Sequence, residues 1–563
     1  MENSSHSTSM VEDPASPPAR MGGWRAIMFI IGNESFEKLA SMSLIANIAV
    51  YLRTEYNMGG VTVVNVVNIW SGSSNITGIA GALLADSYLG KFLTLLFGSM
   101  ASFLGMVTMT LTAGVARFRP SACQGESFCP QPQGWQLAII FAGLGMLSIG
   151  AGGIRPCNIS FGADQFDTST EKGRQQLATF FNWWYLSFTV ALVVALTAVV
   201  YIQTNVSWVI GFAIPTACLA LSITIFLIGY KTYVLVKPQG SIFGDILKVI
   251  VAACKKRRFT IASGCDYPFY DPPLTGPNPS AMKLPHTDRF KFLDKASIIT
   301  DPSELDNHGM AKNAWRLCSL QTVEQLKCLV AILPVWASGI VYSIIMDHCT
   351  TFGILQALQT SNSIGSHFKI PPGWINLVPM LALAVWILIY ECIYIPLARK
   401  ITKKDKRLTI KQRLATGLVM SILCMLVSGI AEKKRRDSAL KHGSFASPYS
   451  LALLLPQFVI AGLAEAFAAV ALLEFLTTRM PESMRTVAGA IFFLGISIAG
   501  YLSSLLVTII HSITEKTGKT PWLGGRDLNK NKLDLYYYVI AGLGVANLFY
   551  FFFFASHYVI NTV

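Results

Sequence analysis

The chain has 563 residues, 52% hydrophobic and 13% charged, with a formal net charge of +14 and a mean hydropathy of +0.49. Soluble domains carry roughly a quarter charged residues, so these values exclude an ordinary soluble protein and indicate an all-α, multi-pass membrane protein. The positive balance does not point to nucleic acid. Basic residues sit mainly between apolar runs, where they set orientation and meet the headgroups of the lipid bilayer.

Residues 1–23 are polar and are expected to form a disordered cytoplasmic N-terminus without a cleavable signal peptide. Apolar stretches of roughly 20 residues or more, enough to cross a bilayer, occur near 24–52, 62–86, 91–117, 136–160, 178–203 and 206–232. A polar insert follows. Within it Ile242 to Val251 reads as an interfacial amphipathic helix and 271–280 as a Pro-rich linker. Six more apolar stretches occur near 325–356, 372–398, 410–431, 448–478, 485–512 and 534–558. The predicted organisation is an N-terminal six-helix bundle (24–232), a cytoplasmic linker (233–320), a C-terminal six-helix bundle (321–558) and a short cytoplasmic tail (559–563). Six plus six resembles the architecture of the major facilitator superfamily.

Lys255-Lys256-Arg257-Arg258 in the linker and the basic residues Arg399, Lys400, Lys403, Lys404, Lys406 and Arg407 fall on one side, which is therefore cytoplasmic. One cluster disagrees. Lys433-Lys434-Arg435-Arg436 follows the ninth span and falls on the outer side.

The first span carries Glu34, Glu37 and Lys38 at i, i+3 and i+4, on one helix face. A charge near the bilayer centre costs at least about 2.5–3.5 kcal/mol, so this stripe must face water or its own counter-charges. That pattern indicates a proton or substrate pathway. Between spans two and three, Gly81, Asp86, Gly90 and Lys91 read as a gating loop, in which glycines permit a tight turn and Asp86 caps a helix or pairs across an interface. A plain cytoplasmic turn is the other reading. Span four is rich in glycine (Gly143, Gly145, Gly150, Gly152, Gly153) and then presents Arg155-Pro156, suited to close helix packing; a snorkelling arginine is the alternative there.

In the second half, Asp347 in span seven and Glu465 in span ten are acids in apolar helices. An unpaired buried carboxylate is protonated, whereas a nearby cation keeps it ionised. Two ion pairs across the bundles are the economical arrangement. Cys123 and Cys129 flank a short polar loop, as a disulfide or as two free thiols; the other nine cysteines read as packing residues. His286, His308 and His348 are dispersed, with no metal-ligand spacing. An enzyme is not expected, and no metal site either.

Assembled, these residues resemble plant members of the proton-coupled nitrate/peptide transporter family (the proton-dependent oligopeptide transporters), from Trp24 to Val559. The resemblance is carried by Asn33-Glu34-Ser35-Phe36-Glu37-Lys38, Ala82-Leu83-Leu84-Ala85-Asp86, Gly152-Gly153-Ile154-Arg155-Pro156, the run from Phe161 to Asp167, Phe290 to Ala296, Leu333-Pro334-Val335-Trp336, and Pro456 through Ala466. It implies a symporter working by alternating access, with no cofactor and the proton as coupling ion. It implies proton coupling at Glu34, Glu37, Lys38 and Asp347, and a gating salt bridge between Arg155 and Glu465. At the helix-seven position where a dual-affinity nitrate carrier has histidine, this chain has Met346; a thioether donates no hydrogen bond, which disfavours high-affinity nitrate transport.

Asn68, Asn182, Trp183, Trp184, Tyr185, Met346 and Glu474 are the candidate substrate-binding residues, helix packing being the other reading of the aromatics. The subfamily resembled carries nitrate, hormones and glycosylated metabolites such as glucosinolates. The expected substrate is a glycosylated specialised metabolite or a weak-acid hormone, with low-affinity nitrate or di/tripeptide transport as the alternative. The expected partners are that small molecule, protons and lipid. A monomer in the plasma membrane is expected, with the vacuolar membrane as the alternative site.

Overall fold

The computed structural model describes residues 22–123, 129–166, 170–236, 242–258, 268–272, 284–307, 309–364, 368–402, 408–480, 485–516 and 521–560. The expected disordered N-terminus up to residue 21, most of the Pro-rich stretch and Lys403 to Arg407 lie outside them. Among the described residues, ten helical runs are long and apolar enough to cross a membrane. One of them, Gly60–Gly114, has 55 residues and makes two passes, α2 (Gly60–Leu84) and α3 (Gly90–Gly114). The chain reverses at a π-helical turn, Ala85–Leu89, followed by Gly90 at φ +76°, a left-handed conformation that glycine adopts without penalty. The first helix, α1 (Gly23–Thr54), carries too many charges to count among the ten. Twelve passes result.

The first half continues with α4 (Gly134–Ala163), α5 (Glu171–Val206) and α6 (Trp208–Thr232). Helix α1 packs on α5 and α6, while α4 packs on α2 and α3. The glycines of span four explain the second contact. A Cβ on Gly81 would lie 1.9 Å from the carbonyl oxygen of Gly152, so α2 and α4 meet backbone to backbone.

In the linker lie α7 (Ile242–Lys255) and the single turn α8 (Lys291–Asp294). Helix α7 is amphipathic, burying Val249, Ala252 and Ala253 while Leu247 and Ile250 stay exposed. The next helix, α9 (Leu320–Leu358), has 39 residues and is about 58 Å long at 1.5 Å per residue, well beyond a bilayer core. Its first turns leave the membrane and enter the linker, where Val323 and Leu326 join Val249, Ala252, Leu293 and Ala296 in one cluster. Lys327 Nζ lies 2.6 Å from Asp294 Oδ1 and 2.7 Å from Glu324 Oε1 in the same buried region. The linker helices are thereby fastened to the second half.

That half continues with α10 (Pro372–Ile401), α11 (Ile410–His442), α12 (Leu451–Arg479), α13 (Arg485–Lys516) and α14 (Leu533–Val559). Helix α11 runs past the expected end of its span, and the anomalous basic cluster is part of it. Lys433 and Lys434 are exposed, but Arg435 is fully buried. Its guanidinium donates twice to Glu432, at 2.8 Å each, and once to Asn529 Oδ1 at 2.9 Å. Gln356 Nε2 donates to the same Glu432 carboxylate at 2.9 Å, and Arg436 donates to Asp534 at 2.6 Å. Half of the cluster is therefore a clamp that ties α11 to α9 and to the start of α14.

The bundles meet mainly through α2 and α13. Asn65 donates to Thr508 at 3.0 Å and accepts from Ser504 at 2.9 Å, Ser73 and Tyr501 share a hydrogen bond of 2.9 Å, and Ser497 donates to the Gly72 carbonyl at 2.6 Å. At the rim formed by the α1–α2 turn Gly60 N–H donates to the Gly525 carbonyl at 2.9 Å, and Arg53 Nη1 reaches the same carbonyl at 3.2 Å. The disulfide Cys123–Cys129 lies at this rim, with a Cα–Cα distance of 4.4 Å.

Candidate transport pathway

The charged stripe of α1 is buried: Glu34, Glu37 and Lys38 are 1%, 4% and 8% exposed. Lys38 Nζ lies 3.1 Å from Glu37 Oε2 and 3.5 Å from Glu34 Oε1. Glu34 also accepts a hydrogen bond from Asn158 Nδ2 on α4, one turn beyond Arg155 on the same helix. Arg155 is half-buried and feels the charge of Glu37, but its hydrogen bond goes to the neutral Asn75 Oδ1 on α2, at 3.0 Å. Inside the first bundle Lys38 is thus paired with both carboxylates, while Arg155 stands near Glu37 without an ion pair to it. A small pocket beside them is lined by Glu37, Ser41, Trp70, Ser74, Ser102 and Arg155, among others.

The acids of the second bundle stand apart. Asp347 is half-buried on α9 and accepts from Ser503 on α13 at 3.3 Å. Glu465 is exposed and opens a π-helical turn, Glu465–Ala469, in α12; such turns recur at functional sites. Neither of the expected pairings across the bundles is formed in this structure. Lys38 is satisfied by its own helix, and Arg155 by Asn75 of its own bundle. The physical reason is proximity: neighbouring turns and helices supply partners without bringing the bundles together.

The gating-loop residues divide into two roles. Gly81 and Gly90 serve the close approach and the reversal described above, and Asp86 is exposed. Lys91 pairs with Asp164 at 2.5 Å, fastening the start of α3 to the end of α4. Sequence reasoning quoted Asp164 within its motif but did not assign it this partner.

The candidate substrate residues are scattered. Asn68 is 3% exposed where α2 meets α13, with its Nδ2 unpartnered. Met346 packs half-buried between two core clusters. Trp183 is exposed and lines an apolar groove between α1 and α5, with Met28, Ile31, Leu39, Leu186 and Val190. That groove contains none of the charged cluster. Trp184 stacks on Phe188 at 5.8 Å, a packing role. The side chains of Asn182 and Tyr185 lie outside the described ones. Glu474 pairs with Arg413 of α11, so its charge is matched within the second bundle. The residues sequence reasoning missed are Asn75, Asn158 and Ser503. Each is a polar residue in an apolar helix, and that was the available signal.

A family model described as POT family matches residues 92–523. Protein NRT1/ PTR FAMILY 2.8 of Arabidopsis thaliana is 60% identical over 539 residues, covering 95% of each chain. Protein NRT1/ PTR FAMILY 2.13 of the same plant is 42% identical over 543 residues, covering 95% of this chain and 87% of the other. Among solved structures, the POT family transporter PepTSo superposes with a TM-score of 0.69 at 17% identity, over 95% of this chain and 99% of that one. The chain is a multi-pass membrane transporter, not an enzyme, and it belongs to the POT family.

Proposed function

We propose that the protein is a proton-coupled symporter that moves an organic molecule, a glycosylated specialised metabolite or a weak-acid hormone, by alternating access of its two bundles. One observation carries this reading: Glu34, Glu37, Lys38 and Arg155, whose formal charges sum to zero, are gathered inside the first bundle of a transporter. A proton added to either carboxylate leaves the cluster with a net positive charge. That change weakens the hold on Lys38 and on Arg155, and frees a cation to meet Asp347 or Glu465. The proton thus alters which partner a cation prefers, as a coupled carrier requires. In the present state the bundles are joined by α2–α13 contacts and at the rim of the α1–α2 turn, while Arg155 and Glu465 are separate. In this scheme it corresponds to the state open toward the cytoplasm.

The test is uptake in oocytes from a mixed panel of glycosides, hormones, nitrate and dipeptides at acidic and neutral external pH. Glu37→Gln is expected to abolish pH-driven accumulation at normal surface level; undiminished accumulation by that variant would sink the scheme. Nitrate and dipeptides are the competing arms. Met346, half-buried and without a hydrogen to donate, favours the organic substrate over nitrate.

A further inference from the structure

Arg155 has five N–H donors, yet among the described residues it makes no ion pair. Its side chain is held by one uncharged acceptor, Asn75 Oδ1, at 3.0 Å. Asn75 lies on α2, whose sequence from Gly60 to Leu84 contains no ionisable residue. The other charges near Arg155 come from α1, Glu37 and Lys38. In the other bundle Glu465 is exposed on the π-helical turn of α12, and among the described residues it has no cation beside it.

We propose that Asn75 is a positioning residue of the inner gate, which parks Arg155 through a neutral amide while the bundles are apart and yields it to Glu465 when they close. This rests on reading Arg155 and Glu465 as the gating pair. The chemistry requires a neutral group. An amide oxygen aims the guanidinium and shields it from the apolar wall, but it is a weaker partner than a carboxylate, whose hydrogen bonds are charge-assisted and bidentate. An acid at position 75 competes with Glu465 on equal terms and holds the gate open. A purely apolar residue leaves the guanidinium unaimed between turnovers.

The experiment compares Asn75→Asp, Asn75→Ala and Glu465→Gln for uptake, with surface level measured by a fluorescent tag. Asn75→Asp is expected to lose about tenfold in maximal rate, equivalent to about 1.4 kcal/mol of extra pairing, at normal surface level. Its deficit shrinks as the cytoplasmic side is acidified, because the introduced carboxylate, once protonated, releases Arg155. A merely structural role for the amide does not produce that pH dependence. Asn75→Ala retains uptake with an altered maximal rate and unchanged KM, and it carries the test if Asn75→Asp fails to reach the membrane. Asn75→Asp transporting like the wild type, an Asn75→Asp deficit that does not change with pH, or an unaltered maximal rate in Asn75→Ala overturns the proposal. Glu465→Gln separates the two ideas. Full activity there removes the gating pair itself, whereas its inactivation together with a normal Asn75→Asp removes only the role of Asn75.

Discussion

Replacing Glu432 by glutamine probes whether the α11 clamp is a satisfied buried pair. The substitution keeps shape and volume but leaves Arg435, whose side chain is 0% exposed, with its charge uncompensated. Two hydrogen bonds of 2.8 Å change character, and Gln356 loses a charged acceptor. Breaking one partner of a buried ion pair costs about 3–5 kcal/mol. The Asn529 oxygen at 2.9 Å and the Gln359 carbonyl at 3.3 Å still accept from Arg435, so about 3 kcal/mol, the lower end of that range, is the expected loss. The assay is the fraction of monodisperse protein remaining after heating in detergent, read by fluorescence on a sizing column. Adding Arg435→Met removes the orphan charge and should recover part of the loss, at a residual cost of about 1–3 kcal/mol for groups left unpaired. A Glu432→Gln protein that melts with the wild type, or a double variant no more stable than the single, refutes the reasoning.

Two further outcomes follow from other parts of the structure. Gly81→Ala places a Cβ 1.9 Å from the backbone oxygen of Gly152, which cannot swing aside. It should cost at least about 1–3 kcal/mol as overpacking, seen as a lower melting point and less protein at the surface; normal values for both would show that α2 and α4 separate freely. In the linker, Glu304 is pushed up by burial, but hydrogen bonds from Lys256, Thr300 and Arg316 outweigh this and hold its carboxyl below the ordinary 4.5. A depressed native value stabilises the folded linker above the unfolded value and loses that contribution as pH falls through the native one. Hydrogen exchange in 295–318 should therefore quicken as pH is lowered below about 4.5, after correction for the intrinsic rate; Glu304→Gln should abolish that dependence, and an identical profile in the variant would count against it.

Much of the fold was legible because burial in lipid leaves a coarse signal. Ten of the runs announce themselves by length and hydropathy, and the stripe Glu34, Glu37, Lys38 is evident from spacing alone. The substrate residues were not legible in this way. Trp183, Glu474 and Asn68 look alike in sequence as polar or aromatic residues in apolar helices. The structure gives one to an apolar groove, one to Arg413 and one to the α2–α13 contact.

The sequence by itself determined that the chain spans the membrane in two sets of six helices, and that one helix must hide three charges, because solvation energy in hydrocarbon depends only on composition and period. Only the tertiary structure decided how those charges are satisfied. Which amide meets Arg155, whether Arg435 points an orientation or clamps a bundle, and which acid Lys91 takes all depend on distances between residues far apart in the chain. An ion pair or hydrogen bond is decided within a few ångströms, a scale on which sequence separation carries no information.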